Sequence, residues 1–191
     1  MKPATDRLPP LPREQVSPAQ REAADALIAG PRKGVKGPFI ALMRSPELLA
    51  RAQKVGEYLR FDGVLPARLS EFATLVVARA WTQQFEWAVH VPLALKAGTS
   101  AETIAALRAG RRPEAMSPDE ALVHDFAIEL MNHHGVSDES WRTGVERFGE
   151  QGLIELVSVV GYFVWISMVL NVAHTPADEA TGVQALPPLP A

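Results

Sequence analysis

Glu86 and His90 lie four residues apart in the stretch QQFEWAVH, residues 83–90 of a chain with no cysteine. On a helix that spacing puts both side chains on one face, with Cβ atoms about 5–6 Å apart. A carboxylate beside an imidazole raises the imidazole pKa, which suits a general acid or base near neutral pH. Trp87 is adjacent in sequence but about 100° around the helix, so it reads as wall rather than proton partner. The plainer alternative is an exposed ion pair worth a few tenths of a kcal/mol. Glu129 and His133 repeat the spacing elsewhere, and His133 and His134, just before Gly135, read as C-terminal capping residues. Glu71 stands among Phe72, Leu75 and Val76, so it is either at the solvent edge of its helix or paired inside.

Other chemistries lack their residues. The absence of cysteine excludes disulfides, thiolate nucleophiles and sulfur-ligated metals. His124 and His174 have no ligand spacing to another histidine, so neither a metal nor another cofactor is expected. There is no glycine-rich phosphate loop and no serine elbow. A net charge of −3 offers no footprint for nucleic acid or anionic membrane.

The elements that must position these residues read as helices almost throughout. Ser17-Pro18, Ser45-Pro46 and Ser117-Pro118 each set an N-cap before a proline at the first helical position. Ser17 with Gln20, Ser117 with Glu120 and Thr99 with Glu102 make capping boxes. Glycines close the apolar-periodic runs. The expected helices are 18–29, 46–61, 67–80, 83–97, 100–109, 118–134, 138–148 and 151–172, with a kink at Pro92. No run alternates with period two long enough to be a strand, so the class is all-α.

The chain reads as one helical domain over 17–175, between a proline-rich N-terminal arm, 1–16, and a proline-rich tail, 176–191. The motif LPPLP recurs at 8–12 and 186–190. It favours extended polyproline II, and these arms are expected to lie along this protein or a neighbouring subunit rather than to bind an SH3-like partner. The run LIELVSVVGYFVWISMVLNV, residues 153–172, is about as long as a bilayer requires. Glu155, Ser158, Ser167 and Asn171 interrupt it and no basic anchors flank it, so a bundle helix or an oligomer interface is expected instead of a membrane span. No secretory signal is visible near the N-terminus, and a cytoplasmic location is expected.

Residues 69–98, LSEFATLVVARAWTQQFEWAVHVPLALKAG, resemble the core motif of the carboxymuconolactone decarboxylase / AhpD-like family. TSAETIAALRAG resembles the continuation, and GYFVWISMVLNVAH the closing helix, so the resemblance spans about residues 38–175. It implies an AhpD-like helical bundle with long central helices, assembled as a homo-oligomer: a dimer, or further a trimer or hexamer. In the thiol peroxidase branch a glutamate, a Cys-x-x-Cys pair and a histidine act together. Those positions fall here on Glu71, Gln83, Glu86 and His90. Peroxide reduction by that route needs a thiolate, which Gln and Glu do not supply, so an alkylhydroperoxidase or peroxiredoxin activity is disfavoured.

The resemblance therefore implies cofactor-free acid–base chemistry, such as decarboxylation, isomerisation or lactone opening, on a small carboxylated or lactone compound. The named family reaction acts on γ-carboxymuconolactone in aromatic-compound degradation. In that reading His90, Glu86 and Glu71 are catalytic, with Glu71 either in a relay or kept neutral by burial. Gln83 hydrogen-bonds the substrate, and Trp87, Phe85 and Trp81 form the wall. The alternative is a non-catalytic oligomeric scaffold in which the three polar residues satisfy one another. No basic pair is evident for a dicarboxylate: Arg79 and Lys96 lie near the motif, while Arg44, Arg51 and Arg60 lie on an upstream helix that reads equally as surface.

Overall fold

A computed structural model describes residues 5–177 and 181–188. Methionine 1 to position 4, 178–180 and 189–191 lie outside the described residues, and with them the end of the second LPPLP motif. Eight α-helices and no strand occur among the described residues. They are α1 (Pro18–Ala29), α2 (Pro38–Leu42), α3 (Pro46–Glu57), α4 (Ala67–Ala80), α5 (Gln84–Ala97), α6 (Ala101–Arg108), α7 (Pro118–His133) and α8 (Asp138–Ala173).

Two of the three Ser-Pro starts follow the expected chemistry, while Ser45 precedes α3 without a side-chain cap bond. Ser17 and Ser117 each accept from the backbone of the third helical residue, and Gln20 and Glu120 return the bond to the cap backbone. At α6 the cap shifts by one: Ser100, not Thr99, accepts from Thr103 N. The expected pair of helices at 138–148 and 151–172 runs as one element, but Gly149 sits inside it with φ 70° and ψ 169°. That left-handed backbone splits α8 into two arms. Helix α5 continues through Pro92.

Two elements depart from the expectation. Helix α2 is only five residues long, too short for helical periodicity to show. The helix expected over 46–61 changes character at its end, where Tyr58–Asp62 forms a π-helical turn. Gly63 N donates to Tyr58 O at 2.8 Å, an i to i+5 bond. Such turns are rare and frequently sit at functional sites.

Helix α4 is the hub, packing against α5, α7 and α8. Its buried set runs almost without interruption from Leu69 to Arg79. Nearly all-round burial is expected only of a helix surrounded by others. The apolar arm of α8 has the length and hydropathy of a membrane span, yet it buries Leu153, Leu156, Val159, Phe163, Ile166 and Leu170 in the same core. Its opposite side leaves Ile154, Met168 and Val172 exposed.

Both proline-rich arms lie along the helical body. In the N-terminal arm, Arg7 N donates to Ala173 O at 2.8 Å, and the Arg44 guanidinium donates to Leu8 O and Pro9 O. In the tail, Trp87 Nε1 donates to Gln184 O at 3.1 Å, Gln84 exchanges two bonds with the backbone of Leu186, and Arg79 donates to Pro187 O. Leu186 is buried.

Candidate functional site

The site is a product of the α4–α5 hairpin. Trp81 closes α4, and Gln83 opens α5, its side-chain oxygen accepting from Phe85 N and Glu86 N. Between them Thr82 holds φ at 47°, a left-handed conformation that costs a β-branched residue about 1–3 kcal/mol. This tight reversal folds the helices back on each other. Glu71 and His90 stand at similar distances from the turn and so come face to face.

His90 is 3% exposed and has a carboxylate on each ring nitrogen. Nδ1 lies 2.5 Å from Glu71 Oε2, and Nε2 lies 3.1 Å from Glu86 Oε2. Behind Glu71, Arg60 Nη2 approaches Oε1 at 3.7 Å. Phe163 sets its edge against the imidazole, ring centroids 5.1 Å apart and planes at 83°. Burial by itself would push the His90 pKa down. The hydrogen bonds and charges of Glu71 and Glu86 outweigh it, and the net displacement is upward. Burial likewise pushes Glu71 up, but the His90 hydrogen bond, the His90 charge and Arg60 reverse it, and Glu71 is held below the ordinary range. Glu71 is therefore ionised at neutral pH, which disfavours the second of its two expected alternatives, a carboxyl kept neutral by burial.

Glu86 and His90 border a hollow of about 350 Å³, within the range of small-ligand pockets. Its walls come from the 31–39 segment, the π-helical turn, the first half of α5 and the second arm of α8. Phe85 lines it, as expected. Gly37 makes room for that ring: its φ is +55°, and a Cβ there would come within 2.2 Å of Phe85. Glu71 stands behind the histidine rather than in the wall.

The other expected substrate-binding residues are elsewhere. Gln83 is 3% exposed; its oxygen caps α5 and its Nε2 donates to Asn171 Oδ1 at 2.9 Å. Gln83 and Trp87 lie beside a separate hollow formed with the C-terminal tail. Trp87 is buried, its indole N–H held by Gln184. Trp81 ends α4, where its carbonyl accepts from Asn171 Nδ2. The N-cap role explains Gln83: a polar residue just before an apolar-periodic run satisfies free helix N–H groups first.

The structure adds residues that the motif did not indicate. Arg32, Lys36 and Arg60 line the hollow, together with Phe39, Tyr162 and Phe163. None of these cations comes from the 69–98 motif; Arg60, which read equally as surface, is the one upstream arginine of those named that lines the hollow. Arg60 lies within the π-helical turn and continues the inner face of α3 marked by Leu49, Gln53 and Gly56. Arg32 lies in a loop, where no periodicity predicts facing. A broader depression of about 940 Å³ between α7 and α8 lies away from His90. Its carboxylates Asp119 and Asp125 are already engaged by Arg147 and Arg112.

Residues 46–125 match the model of the Carboxymuconolactone decarboxylase family. The match takes in Arg60, Glu71, Glu86 and His90 and stops short of α8. No curated protein matches the chain.

Proposed function

We propose that this carboxymuconolactone decarboxylase family domain performs cofactor-free general acid–base chemistry on a small carboxylated or lactone compound. One observation carries the reading: a buried histidine, bonded to a carboxylate at each ring nitrogen, borders an open hollow with cationic walls. Peroxide reduction through a thiol has no support, since the chain has no cysteine.

The two protons of the imidazolium are unequal. The one on Nδ1 is donated to Glu71, which Arg60 helps to keep ionised. The one on Nε2 is donated to Glu86, and this pair faces the hollow. The mobile proton is therefore the one between Nε2 and Glu86. In a decarboxylation the bond from carbon to the carboxylate breaks and carbon dioxide leaves. The electron pair moves into a conjugated carbonyl, and the resulting enolate carbon takes that proton. His90 is left neutral, still donating from Nδ1 to Glu71, until solvent restores the proton on Nε2. Lactone isomerisation or opening uses the same proton in either direction.

A second reading, an oligomeric scaffold with a closed polar network, draws on the same satisfied nitrogens. Turnover of a panel of β-keto and lactone acids separates the two. General acid–base catalysis contributes about 10²–10⁴-fold, and His90→Gln and Glu86→Gln are each expected to lose that much. Turnover unchanged in both variants, or none by the wild type across the panel, removes the acid–base reading.

The proposal includes a cytoplasmic homo-oligomer. The exposed residues Ile154, Met168 and Val172 on the arm of α8 support an interface between copies.

A further inference from the structure

Three residues that line the hollow, Arg32, Arg60 and Tyr162, carry polar atoms that the triad does not use. Arg32 Nε and Nη2, Arg60 Nε and Tyr162 Oη are all buried, and none has a hydrogen-bond partner. Tyr162 as a whole is 9% exposed. Buried donors without acceptors are costly, most of all on a charged group. Several at one place point to an acceptor supplied from outside the chain.

These donors are also held in place. The Arg32 guanidinium stacks over Phe39, 4.7 Å from its centroid, which fixes the plane of the fork. The Tyr162 ring sits edge-on to Phe163, centroids 5.4 Å apart. Arg32 and Tyr162 converge at Gly56 on α3, where a Cβ would lie 2.7 Å from Arg32 Nη2 and 2.3 Å from Tyr162 Oη. A glycine there lets both groups sit down against the helix backbone. Burial raises the Tyr162 pKa to about 12, so the phenol keeps its proton and donates.

We propose that Arg32 and Tyr162 form a carboxylate-recognition subsite in the hollow that His90 borders. A planar guanidinium fork with a neutral phenol donor matches a carboxylate, which accepts two nearly parallel N–H bonds and a third from O–H. Charge agrees: Arg32, Lys36 and Arg60 face the hollow, and the Glu86 carboxylate there is already on His90. The subsite rests on the acid–base reading for its place beside the reacting group, and it names what that substrate carries: a carboxylate that is retained and held away from the proton-transfer pair. Arg32 and Tyr162 both fall outside the family match over residues 46–125, so the recognition belongs to this chain's own flanking segments.

Calorimetric titration with benzoate, phenylacetate, cinnamate and adipate, against benzamide, phenylacetamide and inorganic phosphate, tests this. At least one carboxylate is expected to bind, with its neutral amide weaker by about tenfold or more. Arg32→Met is expected to weaken that carboxylate by roughly tenfold or more, and Arg32→Lys by less, since charge remains but the fork is lost. Tyr162→Phe is expected to cost about three- to tenfold. Melting curves establish that each variant is folded. His90→Gln is expected to keep carboxylate binding, so failure of the acid–base reading shows as unchanged turnover while the subsite stands. The proposal is overturned if no carboxylate binds, if acids and amides bind alike, if Arg32→Met binds as the wild type does, if phosphate binds in preference, or if His90→Gln loses binding to the same extent as Arg32→Met.

Discussion

The His90 imidazole and the Glu71 carboxylate titrate as a coupled pair rather than alone, and stability follows. Glu71 is held below its ordinary value of 4.5, so its contribution is present above pH 4.5 and is lost as pH falls through its folded value. His90 is held above its ordinary 6.5, so its contribution is complete below pH 6.5 and is lost as pH rises through its folded value. The cluster is therefore most stabilising between pH 4.5 and 6.5 and weakens on both sides. Melting temperature measured against pH is expected to fall on the alkaline side in the wild type, and to fall less in His90→Gln. Parallel alkaline limbs for the two proteins are incompatible with the pairing described.

Among the elements, the π-helical turn is the piece that local sequence disguises. EYLRFDG reads as the end of an ordinary helix before a glycine stop, because one extra residue in a turn changes neither composition nor periodicity. What holds the turn is remote. Glu155 on α8 accepts from Tyr58 Oη at 2.7 Å and from Val64 N at 2.6 Å, on either side of Arg60. Glu155 is buried, and a hydrogen bond to a charged group contributes about 1.5–3 kcal/mol. Glu155→Ala is expected to destabilise the fold by about 2–3 kcal/mol in chemical denaturation. A loss below about 0.5 kcal/mol, the range of ordinary surface changes, shows that the anchor is not needed. The short α2 is hidden for a related reason: it has too few residues for a face, and Gly37 and Phe85 set its position through a contact distant in sequence.

At the scale of the whole molecule, the outer side of the second arm of α8 carries exposed apolar residues among those described. Residues Ile154, Met168 and Val172 recur there at helical spacing and remain exposed, while the inner side fills the core. Placing a charge in the middle of a self-associating surface disrupts it. Met168→Glu is therefore expected to reduce the proposed assembly to a monomer by light scattering without loss of helical content. A wild type that is already monomeric removes the proposed assembly.

Helix starts, the all-α class and the Glu-x-x-x-His face are legible in the sequence because each depends on residues within one or two turns: Ser before Pro, Gly after an apolar run, two side chains four positions apart. The resemblance named Glu71 as well, through the spacing of a family motif. Tertiary structure decided what no local pattern carries. The hairpin at Thr82 brings Glu71 to the far side of His90, the contact of Glu155 with the 58–64 segment holds the turn that carries Arg60, and packing against Gly56 and Phe39 seats Tyr162 and Arg32. Gln83 shows the converse: its motif position suggested substrate, while the free N–H groups of α5 claimed its oxygen. Side-chain partners chosen across a fold depend on which helices meet and at what rotation, and that is set by burial of the whole core rather than by neighbouring residues.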